Sequence, residues 1–143
     1  MTINRTLAYW ICQVGGWGFY LAVSFAVVGV NKGFSGQLLL NYSVSMAIGI
    51  GLTHAFRAYA HRYSWINLSL RRLIPRVVGA ALLLSLASVG IGDALAYVGA
   101  IEVVGVSPEK YWTVPRALLS IFGSAVVMAL WLVIYFGVHY FWN

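Results

Sequence analysis

Apolar positions in this chain neither alternate nor form narrow stripes; they run on. Residues 7 to 30, 34 to 56, 77 to 101 and 117 to 142 hold a single Asp, Glu, Lys or Arg between them, Asp93. At about 1.5 Å of rise per residue, each stretch is long enough to cross roughly 30 Å of hydrocarbon as a helix. A helix apolar on every face has no side left for water. With 62% hydrophobic and 8% charged residues, the 143 residues lack the polar material to clothe a soluble domain. The pattern predicts an all-α fold, an integral membrane four-helix bundle in which residues 1 to 143 form one transmembrane domain.

The polar positions orient it. Lys and Arg resist translocation, so short connections rich in them stay in the cytoplasm. Four spans put both termini on one side with the loop from 57 to 76. That side holds Arg5, Arg57, Arg62, Arg71, Arg72 and Arg76, and the other holds Lys32, Lys110 and Arg116. Both termini are therefore expected to be cytoplasmic. Glu102 and Glu109 fall outside and carry little weight in the rule. The first apolar stretch is too long for a signal h-region and lacks a small-x-small cleavage site, so it stays as a span. A net charge of +6 raises nucleic acid as a partner. Five of the bases flank spans, however, and anionic lipid headgroups account for them at about 1 kcal/mol each. No direct nucleic-acid partner is expected.

Within the spans, small and polar residues take sides. On the first helix Gly15, Gly18, Ala22, Ala26, Gly29 and Gly33 fall within about 80° of one another, a groove for close helix packing. Opposite lie Trp10, Gln13, Trp17, Tyr20 and Ser24. Gln13 and Trp17 sit deep enough that an unpaired amide costs several kcal/mol, so this face bonds to a neighbouring helix or lines a ligand pocket. The third helix repeats the small face with Ala81, Ser85, Ser88, Gly92, Ala96 and Gly99. Two such faces suit a tight bundle, a homodimer, or both. On the second helix Gln37, Asn41, Ser45, Gly49 and Thr53 follow at four-residue steps, a row that winds around the helix. Asp93 lies roughly 12 Å from the outer end of the third span, with Tyr97 one turn beyond.

An intramembrane carboxylate is costly and marks a candidate site. Asp93, Tyr97, Asn41 and Gln37 form the expected outward-opening polar pocket. The competing reading pairs Asp93 with Asn41, Tyr42 or Arg116 simply to fix the helices. His54, His61 and His139, with Cys12, are the candidate metal ligands, being imidazoles and a thiol on the inner side. No pair has the i, i+4 spacing of a histidine clamp, and interfacial histidines beside Tyr59, Tyr63, Tyr135, Tyr140 and Trp142 are the commoner explanation, so no metal is expected. The lone Cys12 excludes an internal disulfide. No paired-carboxylate, phosphate-loop or nucleophile-base spacing points to an enzyme, and no cofactor is implied. Ser107-Pro108-Glu109 reads as an N-cap with proline at the first helical position, and Pro75 as the start of the third span.

Several runs resemble a known family. Tyr9-Trp10 with Gln13, Gly16-Trp17-Gly18 and Tyr20 is similar to the opening helix of the four-span sensor modules of LytS/AlgZ-type sensor histidine kinases. So are Thr53-His54-x-x-Arg57, leading through Trp65 to Leu70-Arg71-Arg72-Leu73-Ile74-Pro75-Arg76, and the close from Trp131 through Tyr135-Phe136 and His139-Tyr140-Phe141-Trp142-Asn143. The resemblance covers the first, second and fourth spans and the basic loop. It implies the input module of a bacterial inner-membrane kinase, dimeric, with a LytTR-type response regulator as eventual partner. The family's phosphoacceptor motif, His followed by Phe-Leu-Phe-Asn, does not occur, so no catalytic residue is carried over. A chain ending on Trp142-Asn143 at the membrane surface reads as truncated ahead of such a kinase region. A small dimeric transporter or channel, and a metal- or haem-binding membrane protein, are the alternatives.

Overall fold

A computed structural model describes residues 4–99 and 113–142 of the chain. Lys110, Glu102 and Glu109, the Ser107-Pro108-Glu109 turn and the last two residues of the predicted third span lie outside the described residues. Among those described, four long helices follow in order: α1 (Arg5–Lys32), α2 (Gly36–Arg62), α3 (Leu70–Tyr97) and α4 (Val114–Trp142). All four are long and apolar enough to cross a membrane. This is a multi-pass membrane protein.

Local chemistry sets the helix ends. Asn4 caps α1, its side-chain oxygen accepting the Thr6 N–H at 3.1 Å. Gly33 closes it at φ +89°, a backbone angle that side chains disfavour, and donates its N–H to the Gly29 carbonyl at 2.8 Å. Phe34 folds back over Gly29, its ring filling the place a Cβ would take. Ser35 then caps α2 by accepting the Leu38 N–H at 3.1 Å. The α1–α2 turn is thus short and specified residue by residue.

At the opposite end of the bundle the helices outrun the apolar spans. Helix α2 continues to Arg62, past the predicted limit of 56, and α3 begins at Leu70 rather than 77. Hydropathy marks where hydrocarbon ends, not where backbone hydrogen bonding ends, and Arg is a good helix former. The five bases expected in a loop therefore all sit on helical turns, and residues 63 to 69 alone connect the helices. Pro75 is consequently inside α3 and not at its start, where it denies the Arg71 carbonyl a helical N–H. The connection turns through Ser64 in the left-handed region at φ +52° and a 3-10 turn, Trp65–Asn67. Trp65 folds into the bundle edge-on to Phe56 (5.4 Å between centroids) and stacked on Phe136 (6.4 Å), with the Arg76 guanidinium 5.8 Å from its ring.

Packing is most extensive between α3 and α4, then between α1 and α2, and α2 also contacts α3. The α3 small face packs closely at Ala81 and Ser85, whereas Gly92 borders open space. Ala81 and Ser85 are buried, and the Ser85 hydroxyl donates to the Ile121 carbonyl of α4 at 2.6 Å. The α1 small face is not used within the chain: Gly15 and Gly18 have nothing within 4 Å of where a Cβ would stand, and Ala22 and Ala26 are exposed. The opposite face of α1, carrying Gln13 and Trp17, is the one turned inward. Gln13 needs partners that lipid cannot supply, so its position decides which face is buried. Large apolar side chains cover the outside, with Phe19 72%, Leu83 69% and Phe122 69% exposed, a surface suited only to lipid.

Candidate functional site: a polar cavity above a hydrogen-bonded lock

Gln13 sits at the middle of the bundle, 1% exposed, and uses both ends of its amide. Its Oε1 accepts the Trp131 indole N–H of α4 at 2.8 Å. Its Nε2 donates to the Thr53 hydroxyl of α2 and, at 3.3 Å, to the Ile50 carbonyl. Thr53 in turn donates to the Gly49 carbonyl at 2.7 Å. Three helices are joined by this lock, and the buried amide is satisfied at donor and acceptor alike. One turn along α1, Trp17 lies flat against Gly49, where an added Cβ would overlap the indole ring. Only glycine permits that approach.

Beyond Trp17 the helices separate around a cavity of about 500 Å³. Its mouth carries Lys32 of α1, Asp93 of α3, Arg116 of α4 and Asn41 of α2. Four serines, Ser45, Ser88, Ser120 and Ser124, line the walls with Tyr20 and Tyr42, and Trp17, Val127 and Met128 form the floor. From Lys32 to Trp17 is about 22 Å along α1, so the cavity reaches roughly mid-bundle. Hydroxyls and charges from all four helices converge here, in a protein whose exterior is apolar.

Of the residues expected to form a polar pocket, Asp93 and Asn41 line the cavity together. Gln37 reaches it indirectly, donating its Nε2 to the Asn41 Oδ1 at 3.0 Å. Tyr97 does not join them: α3 ends at Tyr97, and the residue is 81% exposed. For the same reason Asp93 is one turn from the end of α3, about 6 Å and not 12 Å. Trp17 is part of the cavity floor, whereas Gln13 belongs to the lock beneath it. The row Gln37, Asn41, Ser45, Gly49 and Thr53 passes from the open cavity, which Asn41 and Ser45 line, to the buried Gly49 and Thr53 at the α1 contact. Its drift around α2 follows the change of neighbour.

Lys32 and the serines of α4 were not among the expected site residues. The signal for the latter was present: Arg116, Ser120, Gly123, Ser124 and Val127 fall at steps of four, three, one and three, a polar and small face on an otherwise apolar helix.

The histidines lie at the other end. The His54 Nδ1 and the Tyr9 hydroxyl are 3.3 Å apart, and the His54 ring stacks on Trp10 at 5.4 Å. His61 meets His139 edge-on at 5.9 Å between centroids, and Cys12 is exposed. Among the described residues no group of three or more His, Cys, Asp or Glu is placed to hold a metal ion. Arg57 lies over the Tyr9 ring at 3.9 Å, a cation held on aromatic surface at this basic end.

No protein-family model, curated protein or solved structure matches the chain. Fold and site together define a polytopic membrane bundle with a charge-lined cavity in one half and a buried amide lock at its centre.

Proposed function

We propose that the chain is a membrane sensor module of the two-component kind, lying in the bacterial inner membrane with both termini in the cytoplasm and working as a homodimer. A ligand in the outward-facing cavity shifts helix packing, and α4 carries the shift to a cytoplasmic histidine kinase region that signals to a LytTR-type response regulator. The observation that carries this reading is the shared use of α1 and α4. Trp17 and Met128 form the cavity floor, while Gln13 and Trp131, one turn further in on the same helices, form the lock. A cavity occupant that displaces Trp17 acts on the α1–α4 hydrogen bond directly. Two packings with different ligand affinity are all that such a switch requires.

The test is a chimera in which this module replaces the membrane module of a LytS-type kinase whose regulator drives a reporter. Gln13→Leu, which removes the lock, is expected to move output to one extreme while membrane insertion is unchanged. Output identical to wild type in that variant leaves the module as an anchor only. A small-solute transporter is the second reading, favoured by the same charge-lined cavity. Solute flux into proteoliposomes containing the purified chain decides for it.

A further inference from the structure

Below the lock the same three helices meet again. Tyr9 stands one turn before Gln13 on α1, Arg57 one turn after Thr53 on α2, and Tyr135 one turn after Trp131 on α4. The Arg57 guanidinium lies 3.9 Å from the centre of the Tyr9 ring and is an electrostatic neighbour of the Tyr135 hydroxyl. The Tyr9 hydroxyl is engaged with His54 Nδ1 at 3.3 Å. Two polar atoms of this layer are left over: the Arg57 Nε and the Tyr135 hydroxyl are both buried, and neither makes a hydrogen bond among the described residues. Tyr135 as a whole is only 7% exposed. Of Arg57, Arg62, Arg71, Arg72 and Arg76, Arg57 alone is half-buried, and the other four are exposed. No Asp or Glu occurs in residues 4 to 92 or in α4, so these elements bring no carboxylate side chain to the layer. We propose that Arg57 and Tyr135 hold the phosphodiester of one anionic phospholipid, at a defined site in the leaflet of this basic end where α1, α2 and α4 meet.

Depth and chemistry select the occupant. Arg57 follows directly on the apolar run 34 to 56, so it stands where hydrocarbon gives way to headgroups and where lipid phosphates lie. A guanidinium offers five N–H donors and no acceptor, and its planar fork matches two oxygens of a phosphate. The Tyr9 ring steadies the cation without neutralising it. Because Arg57 is half-buried while its Nε is enclosed, the phosphate meets the open part of the side chain, and a small rotation turns Nε and the Tyr135 hydroxyl toward it. Trp10, 40% exposed and stacked on His54, continues the seam between α1 and α2 as an apolar wall for the acyl chains. The exposed arginines of this end attract any anionic headgroup loosely. Arg57 and Tyr135 instead fix one phosphate to a layer that lies directly beneath Gln13 and Trp131, so occupancy braces the helices of the lock from the side opposite the cavity.

The experiment uses the whole purified chain in detergent micelles, titrated with dioleoylphosphatidylglycerol, with dioleoylglycerol, which has the same tails and no phosphate, and with inorganic phosphate. Bound lipid is counted by native mass spectrometry, and thermal unfolding is followed in the same samples. Phosphatidylglycerol is expected to fill one saturable site about tenfold or more tightly than dioleoylglycerol. Two variants keep the net charge, which separates a built site from general attraction. Arg57→Lys removes the fork, Tyr135→Phe removes only an oxygen that has no partner in the folded chain, and each should weaken the lipid by about threefold or more. Arg62→Lys and Arg72→Lys, at exposed positions, should leave it unchanged. Saturating lipid should also raise the unfolding temperature of the wild type by more than that of Tyr135→Phe, because a ligand stabilises the fold in proportion to its occupancy. Phosphatidylglycerol binding that is indifferent to both Arg57→Lys and Tyr135→Phe overturns the proposal, and so do equal losses at Arg57→Lys and Arg72→Lys. Inorganic phosphate that binds as tightly as the lipid overturns the lipid as occupant and puts a soluble phosphate in its place.

Discussion

Replacing Gln13 by leucine keeps roughly the side-chain volume and deletes every hydrogen bond it makes. The Trp131 indole N–H loses its acceptor at the centre of the bundle, and the Thr53 hydroxyl keeps its contacts with the Gly49 and Ile50 carbonyls. A buried donor left without a partner costs about 1–3 kcal/mol. In membranes the unfolded reference finds partners too, and measured values run lower, about 0.6–1.7 kcal/mol. Unfolding of Gln13→Leu in an SDS titration should therefore show a loss of about 1–2 kcal/mol. The two prominent glycines should behave oppositely. Gly49→Ala drives a methyl into the Trp17 ring and should destabilise by about 1–3 kcal/mol. Gly92 borders the cavity with nothing within 4 Å of an added Cβ, so Gly92→Ala should fall within about 0.5 kcal/mol of wild type in the same titration.

Among the helices, α4 reaches farthest across the functional geography. It supplies Arg116 and two serines to the cavity, Trp131 to the lock, and Tyr135, stacked on Trp131 at 5.1 Å, to the aromatic layer below. Its rotation is fixed by these three sets of contacts. One residue inserted after Trp142 turns anything attached by about 100°, whereas seven restore the phase to within about 20°. In the chimera, the single insertion should lock reporter output high or low and the seven-residue insertion should recover regulation. Much of the element level was legible beforehand, because a span in lipid needs only length and apolar content. The helix ends beyond the hydrocarbon were not, since backbone hydrogen bonding continues through Arg57, Arg62, Arg71 and Arg72 without any hydropathic mark. Asp93 and Asn41 stood out as polar residues in apolar runs and do share a cavity. Tyr97 looked equivalent by spacing, but the early end of α3 removes it. Lys32 escaped notice because a base at a span terminus looks like an ordinary interfacial residue until the fold shows what it borders.

For the whole molecule, the distribution of bases fixes the expected orientation. In a Cys12→Ser background, cysteine at Ser107 should react with an impermeant thiol reagent in intact cells, and cysteine at Ser69 should react only after permeabilisation. The reverse labelling inverts the topology and turns the cavity toward the cytoplasm. The α1 face of Gly15, Gly18, Ala22 and Ala26, unused within the chain, offers the close approach that helix pairs in lipid exploit. Gly15→Leu should leave the fold of one chain intact, because nothing lies within 4 Å of the new Cβ. It should shift a dimer toward monomers in detergent crosslinking if this face joins two copies, and an unchanged distribution places any dimer contact elsewhere.

The lock has an electrical meaning as well. A vestibule with charged and hydroxyl walls can fill with electrolyte, and a conducting space carries the potential of the solution it opens to. The transmembrane voltage must then fall across the dry layer formed by Trp17, Gln13, Met128 and Leu132, all nearly or fully buried. Moving an elementary charge through that layer takes about 2.3 kcal/mol per 100 mV. Lys32, Asp93 and Arg116 stand on the wet side of it, so a change in voltage does little work on them. The molecule can consult the solution on one side of the membrane through charged groups while remaining an insulator to the gradient it sits in.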